Sequence, residues 1–246
     1  MSSLRVAALE IAHRYGAPRD VLVAVDRALT VLARRADVVL LPECALTGYV
    51  SPGGDFDLSA MAEAIDGPSA RGLASLARSH GVSLAGSIVE RDGASLFNTL
   101  CLFGPDGAFE GRWRKRHPWY PERWAAPGDL ATPVIEHRGV RLTACVCFDV
   151  HFIADDAPDA LREADALLYP SAWVDDEPGD ARSDILAALA RSFSIPIVNA
   201  NWGRGVPTVR GQGRSRVVSR DGVETIASRV EGVTFAVASI ERRRST

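Results

Sequence analysis

The stretch Leu142-Thr143-Ala144-Cys145-Val146-Cys147-Phe148-Asp149 is apolar until it ends in a thiol and an acid. A run of this length reads as a strand buried on both faces, and it carries its last reactive side chain to the carboxyl edge of a sheet, where ligands collect in α/β folds. Val38-Val39-Leu40-Leu41-Pro42-Glu43 has the same construction and ends in a carboxylate. Two such strands predict an α/β chain with a chemical site at one sheet edge.

A third group follows from a bias in composition. The chain has 28 Lys+Arg residues, and Lys115, inside Trp113-Arg114-Lys115-Arg116-His117-Pro118-Trp119, is the one lysine among them. Arginine therefore serves wherever any positive charge suffices, and the exception marks a place that requires a compact, rotatable ammonium rather than a planar fork. A carboxylate, an ammonium and a thiol together make a nucleophilic set. Cys147 attacks, Glu43 acts as general base and then acid, and Lys115 favours the thiolate and steadies the oxyanion that follows.

These segments resemble a known family. Glu43 in Leu-Pro-Glu-Cys-Ala-Leu-Thr-Gly-Tyr, Lys115 in Arg-Lys-Arg-His-Pro-Trp and Cys147 in Val-Cys-Phe-Asp are similar to the Glu-Lys-Cys triad of the nitrilase superfamily of carbon-nitrogen hydrolases. Leu167-Leu168-Tyr169-Pro170-Ser171-Ala172-Trp173 and Ile197-Val198-Asn199-Ala200-Asn201 resemble the segments that follow the nucleophile there, and the likeness runs from about Leu4 to Ile240. It implies a four-layer α-β-β-α sandwich with two mixed β-sheets. It also implies cysteine-dependent hydrolysis of a non-peptide C–N bond in a small amide through a thioester, releasing ammonia or amine and a carboxylic acid. The Arg114–Pro121 segment is closer to the amidase branch. Nitrile or N-carbamoyl hydrolysis on the same fold, and a binding protein that retains the fold without catalysis, are the alternatives. A homodimer or larger homo-oligomer is implied by the resemblance alone.

The other site candidates carry less chemistry in themselves. Glu122 resembles a second glutamate of the amidases that orients the substrate amide and Lys115; the bland reading is a surface partner for Arg116 or Arg123. Trp119, Tyr120, Phe148 and Trp173 are expected around the substrate, with the Phe148 backbone N–H sharing the oxyanion with Lys115 and Trp202 as a further candidate wall. His151 invites a Cys-His reading, but so close behind the nucleophile it is expected to pack rather than act as base.

Composition narrows the classes. With 246 residues and 47% hydrophobic content the chain can bury one large core, and one carbon-nitrogen hydrolase domain over 1–246 is expected. A formal charge of -3 gives no electrostatic case for nucleic acid or an anionic membrane. Met1-Ser2-Ser3-Leu4-Arg5 leads straight into a strand pattern, and no apolar run approaches a membrane span, so a cytoplasmic location is expected. Cys44, Cys101 and Cys145 are expected as reduced, buried residues, with Cys145 on the same strand face as Cys147. The Cys-x-Cys pair lacks a second pair at zinc spacing, and no metal or cofactor is expected.

Periodicity predicts strands at 4–10, 37–42, 82–90, 96–103, 132–136, 140–147, 165–169, 195–200, 214–219 and 233–240, and helices at 19–35, 69–80, 156–164 and 181–193. Asp92-Gly93, Asp106-Gly107 and Asp221-Gly222 predict hairpin turns. The Arg242-Arg243-Arg244 end is expected to be solvated.

Overall fold

The structure is a computed structural model describing residues 2–129, 131–175 and 179–243. Alternation along the strand Ser3–Glu10 sends Leu4, Val6 and Ala8 to one face and Ala7 and Leu9 to the other, and all five are buried. A strand covered on both faces belongs in the middle of a sheet. Val38–Leu40 lies parallel on one side of it and Val233–Glu241 antiparallel on the other. The seven-stranded sheet runs in the order Ser228–Val230, Val233–Glu241, Ser3–Glu10, Val38–Leu40, Ser83–Asp92, Ser95–Phe103, Phe109–Arg114. The second, six-stranded sheet repeats the plan, with Val140–Ala144, Ala166–Ser171 and Ile197–Asn201 parallel at its centre and antiparallel strands outside.

The two sheets face each other across one apolar layer. Val6, Leu40 and Leu100 of the first sheet share it with Leu142, Leu168 and Val198 of the second. Helices Pro18–Leu32 and Pro68–His80 cover the outside of the first sheet through Val25, Leu29 and Leu73, and helix Ala181–Phe193 covers the second through Leu186 and Ala190. Truncating one of the fully buried leucines to alanine costs about 2–5 kcal/mol, so each layer makes a separate contribution to folding. This is the expected α-β-β-α sandwich with two mixed sheets. No described helix is long and apolar enough to cross a membrane.

Departures from the expected elements have local causes. The strand expected at 132–136 begins only at Ile135, because Pro133 has no N–H to give a ladder; its carbonyl instead accepts from Trp113 Nε1 at 2.8 Å and Thr143 Oγ1 at 3.0 Å. The helix expected at 156–164 is two, Ile153–Asp156 and Pro158–Glu163, since Ala157 precedes a proline and leaves the helical region. The short pair Ala12–Arg14 and Gly203–Val206 went unexpected because its pairing rests on a close approach: a Cβ on Gly205 would stand 2.1 Å from the His13 carbonyl oxygen. The three Asp-Gly turns lie where expected, with Gly93, Gly107 and Gly222 at positive φ. The arginine end is not simply solvated. Arg243 donates its N–H to Asp165 and its guanidinium to the carbonyls of Phe193 and Ser194, and Arg242 pairs with Glu136 at 3.1 Å; Arg244 lies outside the described residues.

Candidate active site

Three strands deliver the reactive groups from their carboxyl ends. Glu43 follows Val38–Leu40 after Pro42, Lys115 follows Phe109–Arg114, and Cys147 follows Val140–Ala144. The first two come from one sheet and the third from the other, so the site forms where the sheets meet. Lys115 lies on the same strand face as Trp113 and points into the layer between sheets; its backbone is fixed by Lys115 N–H to Asn98 C=O and Gly128 N–H to Lys115 C=O, both 2.8 Å. A Cβ on Gly128 would stand 2.6 Å from the Arg114 carbonyl oxygen, so only glycine permits that clasp.

Glu43, Lys115 and Glu122 form a closed, buried cluster. Lys115 Nζ donates to Glu43 Oε1 at 2.7 Å and to Glu122 Oε2 at 2.6 Å, and none of the three side chains is more than 1% exposed. Glu122 also accepts from the Trp119 N–H at 2.6 Å, which rules out a surface partner role with Arg116 or Arg123. Glu43 Oε2 accepts from the Ala172 N–H at 3.0 Å, across the sheet interface. With both carboxylates ionised the cluster carries one net negative charge. Burial raises Glu43 above the ordinary carboxylate range against the pull of Lys115. Burial favours a neutral amine at Lys115, but Glu122 and Glu43 outweigh it and Lys115 stays an ammonium.

The thiol of Cys147 lies beside Glu43, near enough for each to shift the other's proton affinity. Burial, and then the Glu43 charge, push Cys147 well above the ordinary thiol range, and Lys115 and the Ala172 N–H oppose this without reversing it. The expectation of an ammonium-stabilised thiolate therefore gives way to a resting thiol beside a carboxylate of raised basicity. A thiolate here would add a second net negative charge to a buried cluster, which is the physical reason.

Cys147 does not sit on the strand. Ladder pairing of the strand ends at Ala144, and Cys147 opens a 3-10 turn, Cys147–His151, with φ of 46°. A non-glycine residue at positive φ is strained and needs support from its surroundings. The expected common face for Cys145 and Cys147 is overturned by this bend: Cys145 packs outward with Leu189 and Ile195, while Cys147 turns into the layer between sheets. Asp149 supplies much of the support. Its Oδ2 accepts from the Val146 N–H at 3.0 Å, and its Oδ1 accepts from the N–H groups of His117 at 2.8 Å and Arg116 at 3.1 Å. One carboxylate thereby ties the residues after Lys115 to the turn that holds Cys147. The first hydrogen bond of the turn runs from Asp149 N–H to Val146 C=O, so the Cys147 and Phe148 N–H groups come before it, as at any helix start.

Cys147 opens on a cavity of about 460 Å³ lined by Tyr49, Trp119, Phe148, His151, Trp173 and Ile185, among others. Of the expected walls, Trp119, Phe148 and Trp173 are there. Tyr120 is not: its ring packs edge-on against the outer side of Trp119 and is 78% exposed. Trp202 lies behind the site, edge-on to His13 at 4.7 Å. His151 stacks on Trp173 at 6.0 Å and meets Phe148 at 5.2 Å, and Glu43 is the carboxylate whose charge acts on the thiol. Sequence reasoning missed Asn98, Asp149 as a tie, Tyr49 and the Ala172 N–H. Asn98 had a signal, a polar residue in phase with the interior positions Leu100 and Leu102; a backbone N–H has none. Among the described residues no group of three or more His, Cys, Asp or Glu side chains is placed to hold a metal ion.

Known proteins share this arrangement of sheets. A CN-hydrolase superfamily protein from Xanthomonas campestris, with an arsenic adduct in its active site, superposes with a TM-score of 0.80 at 24% identity, covering 98% of this chain and 91% of that one. An amidase from Nesterenkonia sp. gives 0.78 at 25% identity, covering 96% and 90%, and a mutant of the amidase from Nesterenkonia sp. AN1, at 0.79 and 24%, bears the acetamide moiety of fluoroacetamide on its active-site cysteine. In sequence, a protein named Nitrilase from Pyrococcus abyssi is 31% identical over 56% of this chain and 53% of its own length, and human omega-amidase NIT2 is 31% identical over 56% and 52%. The chain thus spans about half the length of these two relatives. A hydrolase in the pqqF 5' region of Pseudomonas protegens is 30% identical over 77% and 67%. The family described as Carbon-nitrogen hydrolase matches residues 5–243, a span that holds every group of the site, and the chain belongs to that family.

Proposed function

We propose that the protein hydrolyses a small amide through a covalent thioester on Cys147. The observation that carries this reading is a buried Lys115 bridging Glu43 and Glu122 beside a thiol that opens on a cavity. As Cys147 attacks the amide carbon, its proton passes to Glu43, whose raised pKa suits it to accept one. Lys115 gives two of its three hydrogens to the glutamates, and the third, with the Phe148 N–H, serves the tetrahedral oxyanion. Glu43 then returns the proton to the departing nitrogen, and the C–N bond breaks to leave the thioester and ammonia or amine. Water gives a proton to Glu43 and attacks the thioester, and collapse releases the carboxylic acid and regenerates the thiol.

The amide preference is supported by the amidase and omega-amidase relatives, and the cavity volume favours a compact acyl group. Matched amide, nitrile and N-carbamoyl substrates of increasing chain length, assayed for ammonia, test both points. Ammonia from small amides, with an acyl mass adduct trapped on Cys147, is expected. A kinetic preference for nitriles or bulky acyl groups overturns the substrate class, and an adduct on Cys145 overturns the nucleophile.

A further inference from the structure

Asn98 sits in the strand Ser95–Phe103, is fully buried, and touches both glutamates of the site. Its Nδ2 donates to Glu43 Oε1 at 2.8 Å and to Glu122 Oε1 at 3.1 Å, while its Oδ1 has no hydrogen-bond partner among the described residues. Turning the amide over would set Oδ1 against two carboxylates, so the chemistry fixes this orientation.

The bonds divide unevenly between the two oxygens of Glu43. Oε1 accepts from Lys115 Nζ and from Asn98 Nδ2, which occupies both of its lone pairs. Among the described residues Oε2 accepts only from the Ala172 N–H, and that N–H also favours the charged form of Cys147. One lone pair is therefore left, and it lies on the oxygen bound to the N–H that favours the Cys147 thiolate. We propose that Asn98 is a positioning residue that closes Glu43 Oε1 to protons, directs proton transfer from the Cys147 thiol onto Oε2, and holds Glu43 and Glu122 in place without adding charge.

The neutrality of Asn98 matters. Lys115 alone offsets one of two carboxylates, and a second cation would cancel the charge that makes Glu43 basic; an amide supplies one hydrogen to each glutamate and leaves the charge balance alone. Removing it strips a donor from both, so Glu43 takes up a proton at higher pH.

The inference rests on the amidase reading for its rate assay, and a second readout separates the two. Asn98→Ala, Asn98→Ser and Asn98→Asp are compared with the parent by the pH dependence of kcat/KM for acetamide and by the pH dependence of Cys147 alkylation with iodoacetamide, followed by intact mass. In Asn98→Ala the acid limb of both profiles should move up by about one pH unit, the change expected when a carboxylate loses a hydrogen bond. We expect kcat to fall by about 10- to 100-fold, a part of the roughly 10²- to 10⁴-fold that a general base contributes. Serine, with one donor, should fall between alanine and the parent. Aspartate, nearly the same shape with a third negative charge, should move the limb furthest, and it carries the test if alanine does not fold. Limbs that stay in place in every folded variant, with the loss confined to KM or melting temperature, overturn the proposal. A parent that hydrolyses no amide but whose alkylation limb moves with Asn98 sustains the proposal and removes the amidase reading.

Discussion

The two sheets contribute to the site in opposite ways. From the first come Glu43, Lys115, Glu122 and Asn98, whose side chains hold one another by charge and hydrogen bonds inside a closed cluster. From the second come Cys147 and the Ala172 N–H, held by backbone geometry: a residue at φ of 46°, a 3-10 turn, and a strand end. The first half is tuned by electrostatics and tolerates little change of charge or size. The second is tuned by conformation and depends on what braces the turn. A site that divides its carboxylate from its thiol in this way needs a brace across the interface, and Asp149 supplies one from the turn to the chain after Lys115.

The largest expected effect removes the one reactive atom of the second half. Cys147→Ala should lose kcat by on the order of 10⁴-fold or more with the melting temperature preserved, since the residual rate would come only from binding and the oxyanion donors. Measurable turnover at the parent level would place the chemistry elsewhere. Lys115→Arg comes next. The ammonium has 0% exposure between two carboxylates, so a planar guanidinium displaces them, and about 2–4 kcal/mol of transition-state stabilisation should be lost. Near-parent kcat/KM in that variant would break the charge-tuned side of the contrast.

The two glutamates then sharpen it. Glu43→Gln should stop both acylation and deacylation, because the side chain can no longer take a proton. Glu122→Gln keeps an acceptor for Lys115 and the Trp119 N–H and should cost less, about 10- to 100-fold in kcat/KM. Equal losses in single-turnover measurements of the two variants would make Glu122 a second proton carrier.

Asp149→Asn tests the brace. An amide can accept on one side only, so its NH₂ would face either the Val146 N–H or the pair from Arg116 and His117, at a cost of about 1–3 kcal/mol. Denaturant unfolding should show that loss, and kcat should fall more than KM rises. A stable variant with parent kinetics would mean that Cys147 holds its turn unaided.

The smallest effect lies behind the cluster. His13 is buried, with Nδ1 donating to the Val206 carbonyl at 2.8 Å and Nε2 accepting from the Tyr49 N–H at 3.0 Å. Burial lowers its pKa, so the unfolded chain binds a proton that the folded one refuses. Its contribution to stability is present above the ordinary histidine pKa of about 6.5 and is lost as pH falls from there through the lowered folded pKa. Melting temperature should therefore drop on acidification below that point, and His13→Gln should flatten this slope. An unchanged slope would assign the acid sensitivity to other groups.

Much of this was legible in the chain. Glu43 and Cys147 each end an apolar run, and a lone lysine among arginines is visible without any structure, because burial and chemistry act on residue type at the level of single strands. The sandwich was implied by resemblance and by alternating apolar periods. Asn98 was not legible as part of the site, although its position in phase with Leu100 and Leu102 marked it as interior, because its meaning depends on two glutamates 55 and 24 residues away. Tyr120 was misplaced for a related reason: adjacent aromatics in a loop point where the loop's path sends them, and periodicity does not extend there.

By itself, the sequence determined which groups can react and that they end buried strands, since apolar runs and rare residue types are properties of neighbouring residues. Tertiary structure alone decided how they act. The proton state of the thiol follows from the summed charge of a cluster drawn from distant segments, and the direction in which Cys147 points follows from one reversed backbone angle that breaks the strand's alternation. Electrostatics in a buried site depends on distance through space, and distance through space is what a linear pattern does not contain.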